Sequence, residues 1–86
     1  MSDPVPVRVT VLDTWDEVAM SLAPETSIGD LKRRALTASR VSRPEGDYLV
    51  KYLGAELRDE AATLAAAGIA PNGALIILSR RRIPAR

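Results

Sequence analysis

Three groups of side chains in this sequence are spaced so that they could offer reactive or charged chemistry. They are the adjacent carboxylates Asp16-Glu17 and Asp59-Glu60, the hydroxyls Ser27 and Thr63, and the arginine run Arg80, Arg81 and Arg82. Paired carboxylates do general acid–base work when they converge on one substrate. Neighbours on a strand or loop point apart, so these read as solvated acids. A hydroxyl becomes a nucleophile when a base takes its proton, and the chain contains no histidine. Ser27 and Thr63 stand where helices begin and read as caps. With no cysteine either, disulfides, Cys-ligated zinc, iron–sulfur sites and thiol nucleophiles drop out together. Gly29, Gly46, Gly54, Gly68 and Gly73 are too scattered to form a phosphate loop and read as turn and cap glycines. The expectation is a protein that is not an enzyme, with no catalytic residues, no cofactor and no metal.

The elements that must position these residues fit one small domain. The chain has 86 residues, 47% of them hydrophobic and 27% charged, the balance of an ordinary globular protein. No apolar stretch approaches the roughly 20 residues that span a bilayer, and the start, Met1-Ser2-Asp3-Pro4, lacks a basic and then apolar leader. A cytoplasmic location and a monomeric state are the expectations. Ten of the twelve cations are arginine and thirteen residues are alanine, a usage suggestive of a GC-rich bacterial genome. Net charge is +1, yet Arg80, Arg81, Arg82 and Arg86 crowd the last seven residues.

Val5, Val7, Val9 and Val11 alternate with Pro6, Arg8 and Thr10, the period-two pattern of a strand with one core face. Glu17 to Ala23 alternates again after the polar break at Asp13 to Asp16, which makes a β-hairpin. Ser27 then caps an amphipathic helix of about three turns. Ile28, Leu31, Ala35 and Ala38 form its apolar stripe, and Lys32, Arg33, Arg34 and Arg40 read as polar positions toward the end that the dipole favours. Pro44 to Asp47 is a turn, and Tyr48 to Leu53 a third strand with Leu49 and Lys51 on the face opposite Val50. A very short strand at Ala55 to Leu57, a helical turn from Thr63 to Ala67 closed by Gly68, and a last strand from Ala74 to Ser79 complete the order. The expected core is Val5, Val7, Val9, Val11, Val18, Met20, Leu22, Ile28, Leu31, Ala35, Val50, Leu57, Leu64, Ile69, Leu75 and Ile77.

This α+β order resembles ubiquitin and the β-grasp fold. Thr26-Ser27-Ile28-Gly29-Asp30-Leu31-Lys32 is similar to the helix start of ubiquitin-like proteins. Tyr52-Leu53-Gly54-Ala55-Glu56-Leu57-Arg58-Asp59 and the series Thr63-Leu64, Gly68-Ile69 and Asn72-Gly73-Ala74-Leu75 resemble their later segments, so the likeness runs from Val5 to Arg82. It implies a mixed four- to five-stranded sheet covered on one face by one helix. Residues 1–4 would be an N-terminal tail, 5–79 the domain and 80–86 a basic C-terminal tail. Among bacterial relatives the chain looks most like the small YukD/EsaB-type proteins of type VII secretion, through Arg43-Pro44-Glu45-Gly46-Asp47-Tyr48. The small effector subunit of multicomponent monooxygenases shares a similar turn.

Departures from ubiquitin shape the functional expectation. The written sequence ends Arg82-Ile83-Pro84-Ala85-Arg86 rather than Gly-Gly, so in this form it is not expected to be conjugated. At the position of ubiquitin's patch isoleucine stands Lys51, while Leu78 holds the valine position. Strands three and five are neighbours in a β-grasp, so Leu49, Lys51, Ile76 and Leu78 should share the face away from the helix and bind a protein partner. Two alternatives stand beside this one. The chain is the precursor of a ubiquitin-like modifier, or Arg80, Arg81 and Arg82 join Lys32, Arg33 and Arg34 in gripping nucleic acid or an anionic surface. Near-zero net charge and only three aromatic residues, with no stacking ladder, weigh against nucleic acid.

Overall fold

The computed structural model describes residues 3–79. Five strands form one mixed sheet in the order β2-β1-β5-β3-β4. They are β1 (Val5–Val11), β2 (Asp16–Leu22), β3 (Tyr48–Tyr52), β4 (Ala55–Glu56) and β5 (Gly73–Ser79), with helices α1 (Ile28–Ala38) and α2 (Leu64–Ala67) between them. Strand β2 starts and stops one residue before the alternation suggested, and Glu45–Asp47 is a 3-10 turn. The hairpin pairs Val5 with Leu22, Val7 with Met20 and Val9 with Val18, so the apolar faces of both strands turn to the same side. Strand β1 also lies parallel to β5, with Val9 opposite Leu75 and Val11 opposite Ile77, and β5 lies antiparallel to β3, with Val50 opposite Ile77. β-Branched residues dominate this face because they fit a pleated, buried surface.

Helix α1 covers that face. Ser27 caps it by accepting a hydrogen bond at 3.0 Å from the Asp30 amide, and Thr63 does the same for α2 from Ala66. Gly68 closes α2 at φ 75°, in the left-handed region. Ile28, Leu31 and Ala35 are wholly buried against Val7, Val9, Val11, Val50, Leu75 and Ile77. Each large aliphatic side chain so enclosed contributes about 1.5–3 kcal/mol. Val5, Met20 and Leu57 pack only partly buried against this core, and Val18 is half-buried at the β2 edge. Leu36 and Tyr48 belong to the core as well; neither was expected there.

Lys32 is the main correction. It is 1% exposed, not a surface cation, and its ammonium donates to the Tyr48 carbonyl at 3.0 Å and to Glu60 Oε2 at 2.8 Å. Glu60, expected as a solvated loop acid, also accepts the Gly29 amide at its backbone oxygen, at 2.8 Å. A Cβ at position 29 would lie 3.3 Å from that oxygen, so the glycine permits the close approach of loop to helix. Arg33 and Arg34 do not sit in the last turn, which holds no basic residue. Both reach back to Asp30, whose pKa is lowered chiefly by the hydrogen bond from Arg33.

Two hairpin turns hold large side chains in a backbone region that suits glycine. Trp15 (φ 57°) ends the β1–β2 turn, and Leu53 (φ 52°) precedes Gly54 (φ 82°) in the two-residue β3–β4 turn. For a non-glycine residue this conformation costs about 1 kcal/mol. At the same end of the sheet as Trp15, the Tyr48 hydroxyl donates to Asp13 Oδ2 at 2.6 Å. Withdrawal from water, and then the hydrogen bond and charge of Asp13, raise the phenol's pKa, while Arg43 acts in the opposite sense.

Three outcomes follow. Glu60→Ala strands the buried ammonium and should cost about 3 kcal/mol, whereas Lys32→Met removes the charge itself and should cost less; urea denaturation ranks the two, and the reverse order would refute the account of Lys32. Leu53→Asn supplies the Asn-Gly pair that two-residue hairpins favour and should stabilise by about 1 kcal/mol; an unchanged melting temperature would show the turn unstrained. Because the Tyr48 phenol is held above the unfolded value of about 10, the unfolded chain loses this proton first. Its contribution is therefore complete below that pH and is lost as pH rises through the folded value. The stability gap between wild type and Tyr48→Phe should narrow from about pH 9 upward, and a constant gap would contradict the assignment.

Candidate functional site

The sheet face turned away from α1 takes the other half of every alternation. On it Leu49 stands directly opposite Leu78, and Lys51 directly opposite Ile76. The register therefore brings together the four residues selected from the sequence. Ile76 is 40% exposed, while Leu49, Lys51 and Leu78 are half-buried by one another and by their strand neighbours. Across the sheet, Ile76 faces Thr10 on β1, and Thr10 faces Glu17 on β2. On the outer side Lys51 lies opposite Glu56 of β4. That carboxylate approaches Arg58 at 3.5 Å. The ion pairs of the described residues do not include Lys51.

Continuing the β1–β5 register by one residue sets Leu12 beside Leu78, as the hydrogen bond from the Leu12 amide to the Ile77 carbonyl at 3.0 Å requires. Leu12 was legible in the same alternation, as the residue two after Thr10. Leu12, just past the end of β1, thus stands in an apolar row with Leu78 and Leu49, and Trp15 closes the turn that Leu12 opens. The large hydrophobic residues exposed on the described part of the chain are Trp15 (79%), Leu53 (84%) and Ile76. One lies on this face and the other two lie in the hairpin turns that adjoin it. The sequence left open whether Trp15 folds over the sheet edge; it stands in solvent.

Nearer the other end of this face, Ala19 and Ser21 leave a cleft of about 330 Å³, bordered by Pro6, Arg8 and Asn72. Arg8 there lies 3.9 Å from Glu17, and no nucleophile and base converge in the cleft. Among the described residues no three His, Cys, Asp or Glu side chains are grouped as metal ligands, and no helix is long and apolar enough to cross a membrane. Arg80, Arg81 and Arg82 lie outside the described residues. The helix cations that were to join them are engaged elsewhere: Lys32 is buried, and Arg33 and Arg34 hold Asp30.

No family profile matches the chain. It is 32% identical over 66 residues to UBX domain-containing protein 11 of Rattus norvegicus, a match that spans 77% of this chain and 14% of that protein. The structure superposes on ubiquitin of Caldiarchaeum subterraneum with a TM-score of 0.77 at 15% identity, over 94% of this chain and 99% of the other. The ubiquitin-like domain of an Arabidopsis thaliana protein gives 0.77 at 17% identity, over 98% of this chain and 85% of the other. A protein designed on ubiquitin gives 0.79 at 19% identity, over 98% of each. With five strands in the order β2-β1-β5-β3-β4 and one main helix across them, the chain has the ubiquitin-like β-grasp fold.

Proposed function

We propose that this domain is a non-catalytic interaction module that docks a protein partner through the outer sheet face around Leu49, Lys51, Ile76 and Leu78. The observation that carries the reading is the register: three aliphatic side chains and one ammonium are adjacent on a face that α1 does not cover. An apolar cluster with a cation inside it suits a protein surface better than a small molecule or a nucleic acid backbone. The partner's identity is a finer matter. The YukD/EsaB-like turn at Arg43 to Tyr48 supports an accessory role in a bacterial secretion or other multiprotein system, as a cytoplasmic monomer. The rat UBX protein, of which this chain spans 14%, supports a module carried within longer proteins.

A pull-down from the native lysate tests the docking face, with wild type compared against a Lys51→Glu, Leu78→Asp double variant that still melts cooperatively. A partner held by wild type and lost by the variant is expected. Retention of that partner by the variant would move the function off this face.

A further inference from the structure

We infer that Trp15 is the anchor by which the docking face grips its partner, and that the partner segment is an apolar stretch carrying a carboxylate, which meets Lys51. This rests on the docking reading above and extends it. Trp15 incurs two costs that the fold does not recover. Its indole is 79% exposed, and its backbone is held at φ 57°, where glycine would fit without strain. A tryptophan placed so gains nothing from the domain's own packing, and strained conformations of this kind gather at binding sites. Its position supplies the destination for that cost, because it closes the turn that Leu12 opens, at the end of the sheet where Leu78 and Leu49 stand. Rigid indoles beside an apolar row are the usual anchors of protein interfaces.

The carboxylate follows from Lys51. Lys51 stands opposite Ile76 on the face it shares with Leu49 and Leu78; Glu56, its neighbour on β4, approaches Arg58, and Lys51 is outside the ion pairs of the described residues. An apolar partner covering it would strand a cation away from water, which is strongly unfavourable. A partner that supplies an acid at that point removes the penalty and gains a charge-assisted hydrogen bond. A basic or purely aliphatic segment is selected against by the same group.

Peptides selected from a random display library on the wild-type domain serve as the probe. Enriched peptides should combine aliphatic residues with an Asp or Glu. Because Trp15 is the chain's one tryptophan, their binding should shift its emission to the blue. Trp15→Gly should weaken them at least about tenfold while raising the melting temperature, since glycine relieves the turn, and Trp15→Tyr should recover part of the affinity. Lys51→Glu should also weaken them, and replacing the peptide acid by lysine should restore binding to that variant. Peptides weakened by Leu78→Asp but not by Trp15→Gly would leave the docking face standing and overturn the anchor. Peptides without an acid would overturn the partner chemistry. Indifference to both variants, or a selection that enriches nothing, would count against both readings. Concentration-dependent self-association lost in Trp15→Gly would make a second copy the occupant and overturn the inference.

Discussion

One ammonium group locks the three parts of this domain together. Lys32 leaves the helix, passes into the core and binds the first carbonyl of β3 and a carboxylate of the loop before α2. An ionised group so enclosed is tolerated only when it is paired and hydrogen-bonded. Any shift of the helix relative to β3 would separate the charge from its partners, so the pairing acts on geometry more than on net stability. The amide of Gly29, one turn earlier, binds the backbone of the same glutamate. The loop is thereby held against the helix start through both its main chain and its side chain. The order of the loop and the seating of the helix on the sheet are consequences of this arrangement.

Local patterns were legible because their causes are local. The valine alternation of β1 reports a strand with one buried face, and Ser27, Thr63 and Gly68 mark helix ends because free amides and a left-handed residue need them. The four residues grouped on the outer sheet face were legible for a related reason. Once β3 and β5 are neighbours, alternation decides which side Leu49, Lys51, Ile76 and Leu78 occupy, and the register confirms their adjacency. What escaped the sequence depends on partners far along the chain. Glu60 is 28 residues from Lys32, and Asp13 is 35 from Tyr48. Lys32 lies four residues after Ile28 and three before Ala35, on the apolar stripe itself, so its charge rather than its helical position made it look like a surface cation. Whether Trp15 is exposed depends on a turn conformation that its side chain does not favour, and for that reason the sequence could not decide it.

The two faces of the sheet follow different rules. The face under the helix is filled by branched and aromatic residues that exclude water. The opposite face mixes threonine, alanine, serine and paired charges with a compact aliphatic group near one corner. That unevenness separates the group from the scattered apolar residues any surface carries. The leucines of that face are concentrated in one row, with Lys51 two residues along β3 from Leu49.

The strands nearest the two ends of the sequence, β1 and β5, lie side by side at the middle of the sheet. The central ladder therefore joins segments almost the whole chain apart, and its closure must await the last strand to be made. During synthesis the hairpin and helix can form early, but their buried faces have no floor until β5 emerges from the ribosome. The domain then completes in one late step rather than growing outward from its first residues. A chain interrupted before Gly73 would expose the valine face of β1 and become a target for chaperones and proteases.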